Sequence, residues 1–243
     1  GLGRMVEPEE IVGHIRIALA RNGRLAGRKV VVSAGGTQEP IDPVRYISNY
    51  SSGKQGFALA QVALDHGAQV TLVAGPTALP TPFGATRVNV QTTAEMADAV
   101  LAASAEADVL LMAAAVADFR PQTVAEHKIK KTAGEAPAIH LERTIDILAT
   151  VAERKTQTGH PTIVVGFAAE SQDLIANARA KILSKKLDYI VANDITARDA
   201  GFAVDTNRVT IVDAGGGVEQ LPLLTKTQVA EAVLERVERL LRS

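Results

Sequence analysis

Apolar blocks alternate along the chain with amphipathic segments, and this order predicts strands and helices in turn. We expect strands at residues 30–32, 69–74, 108–116, 164–167 and 190–192, and helices at residues 9–21, 53–66, 93–105, 172–186 and 225–241. Residues 202–212 and 218–221 alternate and predict a C-terminal β-hairpin at one sheet edge. The order predicts an α/β fold: a three-layer, Rossmann-like arrangement around a mostly parallel, doubly wound sheet.

The stretch from Ser33 to Gly56 joins the first strand to the next helix and is rich in hydroxyls and glycines. Free N–H groups and the helix dipole make a helix N-terminus a site for anions. The plainer interpretation is that Ser51 or Ser52 serves only as the helix N-cap. A long polar loop exceeds what a cap requires, so the pattern favours a binding site.

The glycines do not follow the dinucleotide-binding pattern. That pattern places Gly-x-Gly-x-x-Gly directly after the first strand and a carboxylate at the end of the second. Here the loop separates Gly35-Gly36 from Gly53 and Gly56, and the second strand runs into Gly75-Pro76. A nicotinamide-dependent oxidoreductase is therefore a disfavoured alternative, and a nucleotide sensor without chemistry is a third.

Polar residues follow four of the predicted strands. They are Thr37, Asp118, Glu170 and the pair Asn193-Asp194. Ligands bind at the carboxyl ends of strands in sheets of this kind. We therefore expect a site at this edge of the sheet.

Lys181 and Lys185 lie four residues apart, at the rim of the apolar arc of the helix at 172–186. Lysines can extend from such a rim to water, or they can hold a polyphosphate as point charges. The stacked pair favours phosphate.

The segment 119–143 has no core pattern and contains Lys128-Ile129-Lys130-Lys131. It is either a solvated hairpin or a mobile basic flap that closes over phosphate, and composition leaves both open.

Composition narrows the class of protein. The chain has 243 residues, a net charge of -1 and no cysteine, so disulfides and thiolate chemistry are excluded. Near-neutral charge gives no electrostatic case for nucleic acid or a membrane surface. No apolar run reaches membrane-spanning length and no signal peptide is visible. We expect a cytoplasmic enzyme built as one domain with a short appendage.

Six short motifs carry a more specific signal through their order and spacing. They are Ser33-Ala34-Gly35-Gly36-Thr37, Asn49-Tyr50-Ser51-Ser52-Gly53, Ala113-Ala114-Ala115-Val116-Ala117-Asp118, Lys128-Ile129-Lys130-Lys131, Gly166-Phe167-Ala168-Ala169-Glu170 and Ala192-Asn193-Asp194, with a weaker match at Phe202, Asp205 and Asn207. Together they resemble the phosphopantothenate–cysteine ligase domain of bacterial bifunctional coenzyme A biosynthesis proteins. The resemblance covers residues 28–243. Residues 1–27 look like the tail of a preceding flavin-dependent decarboxylase domain, followed by a short helix and linker.

The resemblance implies a two-step ligation that uses CTP and Mg2+ or another divalent cation. The carboxylate of 4'-phosphopantothenate attacks the α-phosphate of CTP, which gives an acyl-cytidylate and pyrophosphate. The amine of cysteine then displaces CMP. The resemblance also implies a homodimer and fusion to the decarboxylase half.

The resemblance assigns roles to particular residues. The nucleotide site would be lined by Met112, Ala113, Ala114, Asp146, Ile147 and Phe167. Asp118 would hold the metal. Lys181 and Lys185 would bind the phosphates, and Ser51 and Gly53 would contact the triphosphate at the start of the helix at 53–66. Asn49 would orient the acyl group, and Lys128 would close from the flap. Thr144-Ile145 replaces the family's usual Asn-Pro, which puts side-chain contacts at these two positions in question.

Overall fold

The computed structural model describes residues 3, 5–130, 138–170, 173–194 and 205–242. Lys131 of the basic motif, Gln172 at the predicted helix start and Phe202 of the weaker match lie outside these ranges. No helix among the described residues is long and apolar enough to cross a membrane.

The described residues form six α-helices and a set of strands that includes one large central sheet. The helices are α1 (Pro8–Ala20), α2 (Lys54–Asp65), α3 (Thr93–Ala103), α4 (Ile147–Thr158), α5 (Leu174–Lys185) and α6 (Lys226–Arg242). The strands are β1 (Lys29–Ala34), β2 (Gln38–Asp42), β3 (Arg45–Ser48), β4 (Gln69–Ala74), β5 (Thr86–Asn89), β6 (Val109–Met112), β7 (Phe119–Pro121), β8 (Leu141–Arg143), β9 (Ile163–Glu170), β10 (Tyr189–Asp194), β11 (Thr206–Asn207), β12 (Val209–Asp213), β13 (Val218–Gln220) and β14 (Leu224–Thr225).

The central sheet has the order β5-β4-β1-β6-β9-β10-β12-β13. All pairs from β5 to β10 are parallel, and β12 and β13 add an antiparallel edge. The prediction of a mostly parallel, doubly wound sheet with a C-terminal hairpin is confirmed. The chain winds outward in opposite directions from β1 and β6, so the topological switch point lies between these two strands.

Helices cover both faces of the sheet. On one face α2 and α6 pack over an apolar core that includes Leu59, Leu72 and Leu234. On the other face α3, α4 and α5 enclose Met96 and Ile190. Burial of aliphatic side chains on both faces explains why the central strands are apolar along their whole length.

The N-terminal helix packs against the domain. Arg16 Nε donates to Asp65 Oδ1 at 2.8 Å, which joins α1 to the end of α2. Leu25 is fully buried in the main core, although it precedes the predicted start of the domain at residue 28.

The structure differs from the local predictions in three places. The predicted strand at 108–116 ends at Met112, because Ser33 Oγ and the Gly35 carbonyl take the N–H groups of Ala114 and Ala115. The loop after β1 contains the β2–β3 hairpin. Strand β5 and helix α4 were not predicted, because neither carries a strong apolar period.

The start of α2 also differs from the simplest prediction. Its N-cap is Gly53, in the left-handed region at φ 78°, so the interpretation of Ser51 or Ser52 as the N-cap is wrong. Ser51 Oγ accepts a long hydrogen bond of 3.4 Å from the Gly53 N–H. Three residues on, a Cβ added at Gly56 would lie 2.5 Å from Ala34 Cβ, so this glycine lets α2 sit directly on β1. Thr92 is the N-cap of α3, and its hydroxyl accepts from the Glu95 N–H, while Thr225 Oγ1 accepts from the Gln228 N–H at the start of α6.

A buried chain of hydrogen bonds joins the β2–β3 hairpin to the segment after β6. The Ala117 N–H donates to Thr37 Oγ1 at 3.0 Å, and Thr37 Oγ1 lies 3.1 Å from Thr93 Oγ1. Thr93 donates to Glu39 Oε1 through both its hydroxyl and its N–H, each at 2.8 Å. Glu39 is 2% exposed, and at the first turn of α3 its carboxyl group also faces the positive end of the helix dipole.

We expect Thr93→Val to destabilise the fold by about 1–3 kcal/mol, because the Thr37 hydroxyl and the Glu39 carboxyl each lose a buried partner. Urea denaturation followed by circular dichroism measures the change. Thr86→Val, at an exposed position of β5, is the control and should cost far less. Equal losses for the two variants would contradict a structural role for the chain of hydrogen bonds.

Candidate functional site

The segment from Ala113 to Asp118 forms one wall at the switch point. It is fixed to the end of β1 by the bond from the Ala114 N–H to Ser33 Oγ at 3.1 Å and by a backbone bond of 2.8 Å from Ala115 to Gly35. The Ser33 side chain is buried. These two hydrogen bonds use the N–H groups of Ala114 and Ala115 and fix the segment just beyond the ends of β1 and β6.

A cavity of about 510 Å³ lies beside this wall and is called the large cavity. Its lining contains eight of the residues that the sequence predicted for nucleotide binding. They are Met112, Ala114, Asp118, Asp146, Ile147, Phe167, Lys181 and Lys185. The volume is within the range of ordinary small-molecule sites. Residues far apart in sequence thus meet at the edge predicted from the strand ends.

The lining of the large cavity carries side chains of both charges. Lys185 pairs with Asp146, whose Oδ1 also accepts from the Ala149 N–H at 3.0 Å and caps α4. Burial opposes ionisation of Asp146, but the hydrogen bonds from Lys185 and Ala149 outweigh it and lower the pKa of this carboxyl group. Lys181 is exposed on α5, one turn before Lys185, and lines the same cavity. The lysines are therefore held where an anionic ligand would meet them.

Asp118 is exposed at the rim of the large cavity, and its carboxylate has no ion pair with any described residue. Within the described ranges no group of three or more His, Cys, Asp or Glu side chains could hold a metal ion by itself. Mg2+ is commonly held by one or two carboxylates together with substrate phosphates. The donor set at Asp118 fits that mode.

The Thr144 side chain contacts the backbone next to Asp118, the residue predicted to hold the metal. Its hydroxyl donates to the Ala117 carbonyl at 2.6 Å, and its N–H donates to the Asp118 carbonyl at 3.0 Å. The replacement of the family's asparagine at this position therefore leaves a side-chain hydrogen bond to the backbone beside Asp118.

A second cavity of about 130 Å³, called the small cavity, adjoins the first. Ser51, Gly53 and Ala113, predicted as nucleotide contacts, line this one and not the large cavity. Ala114 and Phe167 line both. The predicted binding residues are thus divided between two neighbouring spaces.

Asn49 lies next to the wall between the cavities without lining either. Its side-chain Nδ2 donates to the carbonyls of Ala115 and Val116, at 3.0 and 3.3 Å. This fixes the amide and leaves Oδ1, an acceptor, as the atom that a substrate can use.

Lys128 lies apart from both cavities. It is exposed, and its neighbour Ile129 is anchored to the β2–β3 hairpin by bonds from its N–H to Asp42 Oδ2 and from Arg45 to its carbonyl, each at 3.1 Å. The Arg45 guanidinium, with N–H groups of Val44 and Ile129, holds the pKa of the Asp42 carboxyl well below its usual range. Strands β7 and β8 pair at the base of this segment, as expected of a hairpin.

Four residues hold or line the site without a signal in the sequence. Glu39 and Thr93 hold it, and Gln55 and Lys226 line it. In the sequence, Gln55 is only part of the start of the helix predicted at 53–66. Lys226 is only part of the start of the helix predicted at 225–241. Their positions depend on contacts with distant segments, for which a single sequence carries no signal.

The fold and cavities define a doubly wound α/β domain with a ligand site at its switch point. A family model described as the DNA/pantothenate metabolism flavoprotein C-terminal domain matches residues 25–241, and the chain belongs to this family. The sequence-based resemblance is thereby confirmed.

Two curated relatives and one solved structure are similar to the chain over most of its length. The chain is 44% identical to the coenzyme A biosynthesis bifunctional protein CoaBC of Bacillus subtilis (strain 168), over 99% of this chain and 59% of the relative. It is 45% identical to the protein of the same name from Vibrio cholerae serotype O1, over 98% of this chain and 58% of the relative. A crystal structure of the C-terminal domain of CoaBC superposes with a TM-score of 0.76 at 40% identity, covering 90% of this chain and 98% of that one. The chain thus spans less than two thirds of these curated relatives.

We expect Lys181→Ala and Lys185→Ala each to weaken the binding of a polyphosphate ligand, with CTP as the probe, about tenfold or more, since hydrogen bonds to charged groups contribute about 1.5–3 kcal/mol. Isothermal titration calorimetry measures the affinity. Arg179→Ala is the control, because Arg179 lies on the same helix but bonds the Gly216 carbonyl, outside the cavity. Unchanged affinity in both lysine variants would favour lysines that merely extend to water.

Proposed function

We propose that this chain catalyses the CTP-dependent ligation of 4'-phosphopantothenate to cysteine, giving phosphopantothenoylcysteine, CMP and pyrophosphate. The observation that carries the proposal is the large cavity, which gathers two lysines, two aspartates and Phe167 beside β6 and β9 of a domain from this family. CoaBC relatives, named for coenzyme A biosynthesis, support the same assignment.

In the first step a carboxylate oxygen of phosphopantothenate forms a bond to the α-phosphorus of CTP. The bond from that phosphorus to the bridging oxygen breaks, and pyrophosphate leaves with the electron pair. Lys181 and Lys185 line the large cavity, where they would bind and orient the triphosphate and offset its charge. Phe167 and Met112 supply an apolar surface for the base.

In the second step the amine nitrogen of cysteine forms a bond to the acyl carbon. The carbon–oxygen bond to the α-phosphate breaks, CMP leaves with the electron pair, and the amine proton passes to solvent. Asn49, held by Ala115 and Val116, positions the acyl group through Oδ1, which accepts from the amide N–H of the pantothenate chain.

Asp118 is the residue proposed to hold Mg2+, and Lys128 is proposed to approach the α-phosphate during the first step. A bound Mg2+ would neutralise triphosphate charge. Lys128 has to travel from its position beside the β2–β3 hairpin to reach the large cavity, which neither it nor Ile129 lines.

We further propose a homodimer and fusion to a flavin-dependent decarboxylase half, both from the family resemblance. The predicted domain start at residue 28 is moved to Leu25 or before, because Leu25 is buried in the main core. Light scattering on the purified chain tests the dimer.

The function is tested by incubating the protein with CTP, phosphopantothenate, cysteine and Mg2+ and measuring pyrophosphate and phosphopantothenoylcysteine. We expect both products with the unaltered chain. Asp118→Asn should lower the rate at least tenfold at all Mg2+ concentrations, because it removes the anionic ligand. Asp98→Asn, an exposed change on α3, should leave the rate unaltered. The absence of pyrophosphate release by the unaltered chain would refute the proposed reaction.

We expect Lys128→Gln and Asn49→Asp to affect different steps. Lys128→Gln should form little acyl-cytidylate, because positive charge is missing where negative charge accumulates at the α-phosphate. Asn49→Asp should form the intermediate but convert it about 10²–10³-fold more slowly, because a carboxylate repels the intermediate's phosphate and cannot donate to Ala115 and Val116. Quenched-flow mass spectrometry, without and with cysteine, resolves the two steps. Accumulation of the intermediate by the Lys128 variant, and none by the Asn49 variant, would mean that the roles are reversed.

A further inference from the structure

Strands β7 and β8 bring a further cationic side chain to the large cavity. The two strands pair antiparallel, in a register that sets Phe119 opposite Arg143. Side chains of such a pair lie on the same face, and both of these residues line the large cavity. The next pair lies on the other face, where Arg120 Nε donates to Glu142 Oε1 at 2.8 Å. The register therefore directs Arg143, and not Arg120, toward a ligand in the cavity.

The backbone next to Arg143 is fixed to the wall of the cavity. The N–H of Thr144, the following residue, donates to the Asp118 carbonyl at 3.0 Å. The Thr144 hydroxyl donates to the Ala117 carbonyl at 2.6 Å. These bonds place Arg143 on the side of the cavity that carries Asp118, whereas the two lysines of the lining come from α5.

The Arg143 side chain has no partner within the described part of the chain. It is exposed and forms no hydrogen bond or ion pair with any described residue. Arg120 on the opposite face is paired with Glu142, and Lys185 of the lining is paired with Asp146. The donors of the Arg143 guanidinium are therefore available to a ligand in the large cavity.

The chemistry of this side chain favours phosphate. A guanidinium group stays protonated, and its planar set of N–H groups can donate two parallel hydrogen bonds to the oxygens of one phosphate. With Arg143 the lining holds three cationic side chains and two carboxylates, which are Arg143, Lys181, Lys185, Asp118 and Asp146. Because one lysine is already paired with a carboxylate, a polyphosphate needs the charge of the arginine as well.

We propose that Arg143 binds the triphosphate of CTP in the large cavity, as a bidentate donor from the β7–β8 side. The proposal rests on the proposed ligase function and deepens it by adding a binding residue. Cations from two separate elements hold a flexible polyphosphate at two points and so fix its direction for attack at the α-phosphorus. The bonds that form and break are those of the first step above, and Arg143 donates to phosphate oxygens throughout.

The test measures CTP binding to Arg143→Met and Arg143→Lys by isothermal titration calorimetry with Mg2+ present. Arg143→Met should raise the Kd for CTP about tenfold or more, because charge-assisted hydrogen bonds are lost. Arg143→Lys should recover only part of the loss, since it restores the charge without the planar set of donors. In the ligation assay Arg143→Met should raise the KM for CTP and leave the KM values for phosphopantothenate and cysteine unchanged.

The matched control is Arg120→Met, which removes the same charge from the same pair of strands on the opposite face. Its ion pair with Glu142 is exposed, so the loss should cost little stability. The Kd for CTP should be unchanged. Thermal unfolding followed by circular dichroism verifies that each variant is folded.

Several outcomes would overturn the assignment. An unchanged Kd in folded Arg143→Met removes Arg143 from the phosphate site, and an equal rise in Arg120→Met reduces its effect to the general charge of the two strands. Full recovery by Arg143→Lys contradicts a bidentate contact. A rise confined to the KM for phosphopantothenate gives Arg143 to that substrate instead.

Should Arg143→Met not fold, Arg143→Gln replaces it and is judged by the same Kd. If the unaltered chain binds CTP but releases no pyrophosphate, the ligase function fails. That is a different result, because the calorimetric comparison still tests the contact between Arg143 and phosphate.

Discussion

The chain of hydrogen bonds that ends at Glu39 is the constraint on which the site depends. A buried carboxyl group without a cation is stable only where donors face it, and Thr93 supplies two. Through Thr37 the same chain reaches the Ala117 N–H, one residue before Asp118. The β2–β3 hairpin, the first turn of α3 and the wall after β6 are therefore fixed as one unit.

This unit explains how a Rossmann-like sheet acquires a different ligand site. In the dinucleotide fold the first strand runs through glycines straight into a helix that binds phosphate. Here the β2–β3 hairpin stands between β1 and α2, and Gly53 and Gly56 bring the helix back onto the strand end. Positive charge comes instead from α5, where Lys181 and Lys185 border the large cavity on the other side of the switch point.

Much of the fold could be predicted because the central strands and amphipathic helices carry their pattern locally. Strand β5 could not, since Thr86–Asn89 is short and only half-buried at the sheet edge. The early end of β6 could not, since it depends on where Ser33 presents its hydroxyl. In the site, the spacing of Lys181 and Lys185 and the position of Asp118 after β6 identified part of the large cavity. Gln55 and Lys226 escaped notice because only the contact between α2 and the start of α6 gives them a common environment.

The two cavities differ in the groups that they present to a ligand. The large cavity carries the cations Lys181 and Lys185, which suit the negative charge of a triphosphate. The small cavity buries two amide oxygens, Gln55 Oε1 and Asn193 Oδ1, that accept no hydrogen bond from any described residue. Ala114 and Phe167 line both cavities, so ligand groups bound in the two spaces would lie close to each other.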